Sequence, residues 1–140
     1  VFKTGSISDP KGKEGLSELA FNALTRGTMN KSRKQFIDEL ERLGGSIDID
    51  SGANRAIISL NVISDNLQPA IQLLAEAVLT PGLRENEVNS LVEESLGKLH
   101  QEKSNNRAIM QRSFRRVLFQ DTPLMFPPNG ITAVCRIMPL

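Results

Sequence analysis

The apolar residues of this chain change their spacing twice, and that change restricts the fold more than any other feature. Up to Leu43 they recur every three or four positions. Between Ile47 and Val62 they alternate, and from Leu67 onward the wider spacing returns. A helix repeats about every 3.6 residues and a strand every second residue, so the two regimes cannot belong to one kind of element. Helices, then a hairpin, then helices again make an α+β domain, with the helices in one layer on one face of a small antiparallel sheet.

The first helix is marked on both sides by glycine. Between Gly12-Lys13-Glu14-Gly15 and Gly27, the residues Leu16, Leu19, Ala20, Ala23 and Leu24 stand at i, i+3, i+4, i+7 and i+8, one buried stripe. Ser32-Arg33-Lys34-Gln35 has the form of a capping box, in which a hydroxyl and an amide satisfy orphan backbone donors. Phe36, Ile37, Leu40 and Leu43 give the second helix its inward face, and Gly44-Gly45 stops it. Ile47 and Ile49, then Ala56, Ile58, Leu60 and Val62, alternate around Gly52-Ala53-Asn54 and predict a hairpin. Residues 1–7 read as a further strand of the same sheet, ahead of a loop at Ser8-Asp9-Pro10.

Three more helices are expected. Ser64 or Asp65 caps the first, with Leu67, Ile71, Leu74, Ala75 and Val78 inward and Pro69 tolerable only near its start. The next runs from about Arg84 to Glu102 with Val88, Leu91, Val92, Ser95 and Leu99 inward. Ser104-Asn105-Asn106 caps another over 107–119, with Met110, Phe114, Val117 and Leu118 inward. An extended loop from Thr122-Pro123 to Gly130 precedes a last short helix over 131–137.

Composition removes several function classes. The 140 residues carry 17 Lys+Arg against 16 Asp+Glu, a net charge of +1, which gives no electrostatic footprint for nucleic acid or an anionic membrane. No apolar run approaches the length of a membrane span, so no membrane insertion is expected. The single Cys135 excludes an internal disulfide and any Cys-rich zinc module. The chain opens without Met at Val1 and ends at Leu140 without a natural stop. The expectation is therefore one partial domain over 1–140, a piece of a longer chain. Solubility is expected, with the bacterial periplasm and cytoplasm both compatible.

Local candidates for chemistry are weak. His100, the only histidine, follows Leu99 on a charged helix and reads as a surface residue. Cys135 has no accompanying base or oxyanion motif, and Ser6, Ser8 and Ser17 lack a nucleophile elbow. Gly12-Lys13-Glu14-Gly15 lacks the spacing of a phosphate loop and its following Lys-Ser/Thr. Arg107, Arg112, Arg115 and Arg116 form a basic segment without interleaved aromatics, a solvated face or an interface to a partner domain.

An ordered series of local sequences resembles one family. Gly5-Ser6, Asp9-Pro10 and Gly12-Lys13-Glu14-Gly15-Leu16 are similar to the strand-to-helix turn of the insulinase and mitochondrial processing peptidase family, the inverted zincins. Arg26-Gly27-Thr28 is similar to its Gly-Thr after the metal motif, and Phe36 to Gly44 to its F-x-x-x-L-E-x-x-G segment. Thr122-Pro123 to Gly130-Ile131 resembles its closing loop. The resemblance implies a processing-peptidase-like metallohydrolase domain. Active members bind zinc through two histidines of H-x-x-E-H and a downstream glutamate, with the motif glutamate as general base. They pair related domains into a clamshell, and often one half is noncatalytic and helps enclose the peptide.

Carried over from Gly27-Thr28, the first histidine position holds Glu18, the glutamate position Phe21 and the second histidine position Asn22. Asn is a weak neutral donor, one carboxylate does not replace two imidazoles, and Phe cannot take a proton. The downstream acidic position falls near Glu93 or Glu94. The resemblance therefore implies a noncatalytic half with no metal or cofactor of its own. Its partner is a catalytic, zinc-bearing insulinase-like half and its substrate a peptide. The alternative is a structural or assembly subunit derived from the same fold.

Overall fold

The computed structural model describes residues 1–130; the helix expected over 131–137, and Cys135, lie outside the described residues. Five α-helices and one hairpin make up the regular structure: α1 Leu16–Ala23, α2 Arg33–Arg42, β1 Ser46–Ser51, β2 Ala56–Asn61, α3 Leu67–Leu79, α4 Glu85–Glu102 and α5 Asn106–Leu118. The class is the expected α+β.

The β1–β2 hairpin is antiparallel, with Ile47 opposite Leu60, Ile49 opposite Ile58 and Ser51 opposite Ala56. The side-chain period of two puts these pairs on one face and Asp48, Asp50 and Ser59 on the other. The apolar face receives α2 and α3. Phe36, Leu43, Ala70, Leu73 and Ala77 are buried in one cluster, against Leu40, Ile47, Leu60 and Val62. A second, smaller cluster joins α1 to α4 through Leu19, Ala23, Leu91 and Val92.

Several local signals act as read. Ser32 Oγ accepts from the Gln35 N–H while the Ser32 N–H donates to the Gln35 side chain, which closes the capping box of α2. At its other end Gly44, at φ +64°, turns the chain left-handed. Its N–H donates to Glu41 and that of Gly45 to Leu40, so the last carbonyls are satisfied. Asn105 Oδ1 accepts from the N–H groups of Arg107 and Ala108 and caps α5.

Five expectations are corrected. Residues 1–7 do not form a strand. Phe2 makes a single antiparallel bridge to Ala56, Ser6 and Ile7 donate to the carbonyls of Gly52 and Ala53, and Ser6–Ser8 curl into a 3-10 turn. A Cβ on Gly5 would sit 2.4 Å from the Gly52 carbonyl oxygen, so the segment packs against the hairpin loop instead of continuing along β2. On α1, Ala20 is exposed, because Leu19 and Ala23 are the residues turned to α4. Neither Ser64 nor Asp65 caps α3; a 3-10 turn at Ser64–Asn66 leads into it, and the Asn66 side chain donates to the Leu43 carbonyl.

The face of α3 is also rotated. Ala70, Leu73 and Ala77 are buried, while Leu67, Ile71 and Ala75 are exposed. Apolar residues cover most of this helix, so period alone leaves its orientation open, and the two alanines allow close approach of α2 and the hairpin. The fifth correction is α5, which buries none of its residues and turns Met110, Phe114, Val117 and Leu118 to solvent.

A polar knot fixes the chain between α1 and α2. Thr28 is fully buried; its hydroxyl donates to Glu76 Oε1 at 2.6 Å and accepts from the N–H groups of Asn30 and Lys31. Lys31 Nζ lies 2.7 Å from the other Glu76 oxygen, and the Arg84 guanidinium donates to the carbonyls of Thr28 and Lys31. These contacts bind the α1–α2 loop to the end of α3 and the start of α4.

Candidate functional site

Helix α1 begins at a glycine, so it has no capping side chain of its own. Asp9 supplies one from upstream. Its carboxylate accepts from the Gly15 N–H at 2.8 Å and the Ser17 N–H at 3.0 Å, and from the Ser17 hydroxyl. Gly12 donates to Glu14 Oε1 at 2.9 Å. The amides a phosphate would need are already occupied by carboxylates, which agrees with the reading of Gly12-Lys13-Glu14-Gly15 as a turn. Gly15, at φ +101°, packs against Gly130, where an added Cβ would meet the Glu14 carbonyl at 2.1 Å. The closing loop thus sits on the start of α1.

The three motif positions lie together on α1, all half-buried. Glu18 opens on a cleft of about 170 Å³ whose far wall is Ser95, Lys98, Leu99 and Glu102 of α4, with Asn129 at its rim. Burial raises the Glu18 carboxyl above the ordinary glutamate range; Lys98 opposes that shift and Glu102 adds to it. Phe21 packs against Phe2, ring centroids 5.3 Å apart and planes tilted by 52°. Asn22 Nδ2 donates to the Glu18 carbonyl one turn back, at 2.9 Å.

The downstream acidic residues do not join them. Glu94 takes both guanidinium nitrogens of Arg26, at 2.9 and 2.5 Å, with Arg33 at 4.0 Å. The hydrogen bond from Arg26 holds its carboxyl below the usual range. Glu93 and His100 are exposed. The α4 residues that do face Glu18 are Ser95, Lys98 and Glu102, and Glu102 is shared between Arg112 and Asn129. Sequence reasoning missed Lys98 and Glu102, although they follow the inward Ser95 at i+3 and i+7, the spacing of one helix face.

These side chains do not fit zinc. Phe21 has no donor atom, Asn22 presents a neutral amide already turned into its own helix, and Glu18 alone faces an ammonium group. Among the described residues no three of His, Cys, Asp and Glu come together as a metal group. Phe21 is not among the residues that line the cleft; its ring is turned to Phe2. The cleft's chemistry is that of a small, mixed-charge contact surface.

The sequence profile of the insulinase family, peptidase family M16, matches residues 1–127. The chain belongs to that family. It is 24% identical over 130 residues to an uncharacterised zinc protease of Rickettsia bellii, covering 93% of this chain and 32% of that protein. It is 28% identical over 120 residues to the non-peptidase homolog YmxG of Helicobacter pylori, covering 86% of this chain and 28% of that one. Its fold matches the M16 inactive domain from Pseudomonas fluorescens with a TM-score of 0.91 at 22% identity, over 99% of this chain and 34% of that structure. The chain thus spans about a third of the length of the curated relatives it matches. No helix among the described residues is long and apolar enough to cross a membrane.

Proposed function

We propose that this chain is part of the noncatalytic half of an insulinase-like peptidase, which pairs with a half bearing H-x-x-E-H and helps enclose and dock the peptide. The observation that carries this reading is Phe21. It stands where the family's general base would be, and its contact with Phe2 makes it a packing residue that ties α1 to the N-terminal segment. Asn22, bonded within its own helix, supports the same conclusion. In this pairing the zinc belongs to the partner. The outer edge of β1 has no strand partner among the described residues, and in this reading the peptide adds along a hairpin edge.

The test is reconstitution. The full-length protein, stripped of metal, is titrated calorimetrically with zinc at neutral pH, then combined with the H-x-x-E-H protein that co-purifies with it and assayed on a peptide library. The expected result is no tight zinc binding alone and peptide cleavage only by the pair. Tight one-to-one zinc binding by the protein alone overturns the reading. A stable pair without peptidase activity in any combination supports the assembly role instead.

A further inference from the structure

Helix α5 is folded inside out. Its body-facing side is polar: Arg112 pairs with Glu102 at 2.5 Å and Arg115 donates to the Leu124 carbonyl at 3.4 Å. Its outer side is apolar, with Met110 64%, Phe114 63% and Val117 81% exposed, at i, i+4 and i+7, and Ile109 and Leu118 beside them. A row of this kind in water gains nothing from the fold that carries it.

The charges around the row are of one sign. The helix carries four arginines and no carboxylate. Arg112 and Arg115 are turned to the body, while Arg107 and Arg116 are exposed and fall on opposite sides of the apolar row at helical spacing. Next to Ile109 lies a depression of about 200 Å³ lined by Lys103, Arg112, Ser113 and Arg116. The one carboxylate at its edge, Glu102, is already paired with Arg112. Among the described residues neither Arg107 nor Arg116 is in an ion pair. An apolar stripe edged by unneutralised guanidinium groups complements an apolar stripe edged by carboxylates.

We infer that the outer face of α5 is a docking surface for an acidic amphipathic helix of a partner protein. The partner's apolar row packs on Met110, Phe114 and Val117, and one of its carboxylates enters the depression between Lys103 and Arg116. A protein occupant is favoured over a lipid surface because Arg, Met and Phe are the residue types enriched in protein interfaces. Lys103, Arg107 and Arg116 beside one short apolar row also fall short of the roughly four to eight clustered cations that make a lipid-binding patch. The inference does not depend on the pairing proposed above: it concerns a different face, and a partner of any activity would serve.

Two synthetic helices with the same leucine row, one flanked by Glu and one by Lys, test it by fluorescence anisotropy on the full-length protein. Phosphatidylserine-containing vesicles serve as a third probe. The Glu helix is expected to bind more than roughly tenfold tighter than the Lys helix, and to weaken as salt rises. Phe114→Glu is expected to lose the binding with the circular dichroism spectrum unchanged. The pair Lys103→Glu and Arg116→Glu is expected to shift preference to the Lys helix, which misfolding cannot do. Equal binding of both helices, binding of neither, or binding of vesicles in preference to either overturns the inference. So does failure of Phe114→Cys to take up more maleimide than the unsubstituted full-length protein, which carries Cys135, since the face is then covered by its own chain.

Discussion

Replacing Thr28 by Val keeps the shape of a fully buried side chain and removes only its hydroxyl, so it measures what the polar knot between α1 and α2 contributes. The hydroxyl donates to an ionised carboxylate at 2.6 Å, a class of hydrogen bond that contributes about 1.5–3 kcal/mol. It also accepts from two backbone amides at 3.2 and 3.0 Å. Asn30 is exposed, so water replaces that acceptor cheaply, and the two amides together add only about 1 kcal/mol. The expected loss is about 3 kcal/mol, read in equilibrium urea unfolding as a midpoint lower by roughly 1.5 M for a slope near 2 kcal/mol/M. Thr28→Ser keeps the hydroxyl and deletes one methyl, for about 1 kcal/mol. A Val variant within about 1 kcal/mol of wild type, or a Ser variant as costly as Val, would refute the hydroxyl as the holding group and leave simple packing.

Three further outcomes are expected, the first from the same contacts. Glu76 is held below the ordinary glutamate range first by its hydrogen bond from Lys31 and then by Thr28. Its folded-state pKa is depressed, so its contribution is present above the unfolded value near 4.5 and is lost as pH falls through the folded value; Glu76→Gln should flatten that acid limb in pH-dependent unfolding. Glu18 has the opposite sign, because burial raises it. Below about pH 4 the protein and Glu18→Gln should be equally stable, and at pH 7 the Gln variant should be the more stable one; a variant less stable at pH 7 would show that the Glu18 charge is used. Gly130→Ala places a Cβ 2.1 Å from the Glu14 carbonyl oxygen at φ +72°. It should cost about 3 kcal/mol and open the 119–130 loop to limited proteolysis ahead of the rest of the chain.

What was legible in the sequence was local. The capping box at Ser32 and Gln35, the glycine stop after Leu43, the alternation on β1 and β2 and the cap at Asn105 each depend on neighbours a few residues away, so spacing alone reports them. That Glu18, Phe21 and Asn22 bring no histidine to the motif positions is read from the sequence directly, since donor chemistry belongs to the side chain itself. The family resemblance that located those positions rested on an ordered series of such local sequences.

Tertiary structure decided where each apolar side points. Period says that α3 and α5 have apolar stripes; it cannot say which residues of a nearly all-apolar α3 meet α2, or that α5 would turn its arginines to Glu102 and Leu124 and its phenylalanine outward. It also decided pairings across distance: Asp9 caps a helix that begins at Leu16, Glu94 is committed to Arg26, and Lys98 is the group that faces Glu18. Residues 1–7 carry strand-like sequence, yet the close approach of Gly5 to the hairpin loop leaves them one bridge to Ala56. Spacing encodes the elements because backbone geometry is local. Which faces meet, and which charge answers which, is set only when distant segments exclude water from each other.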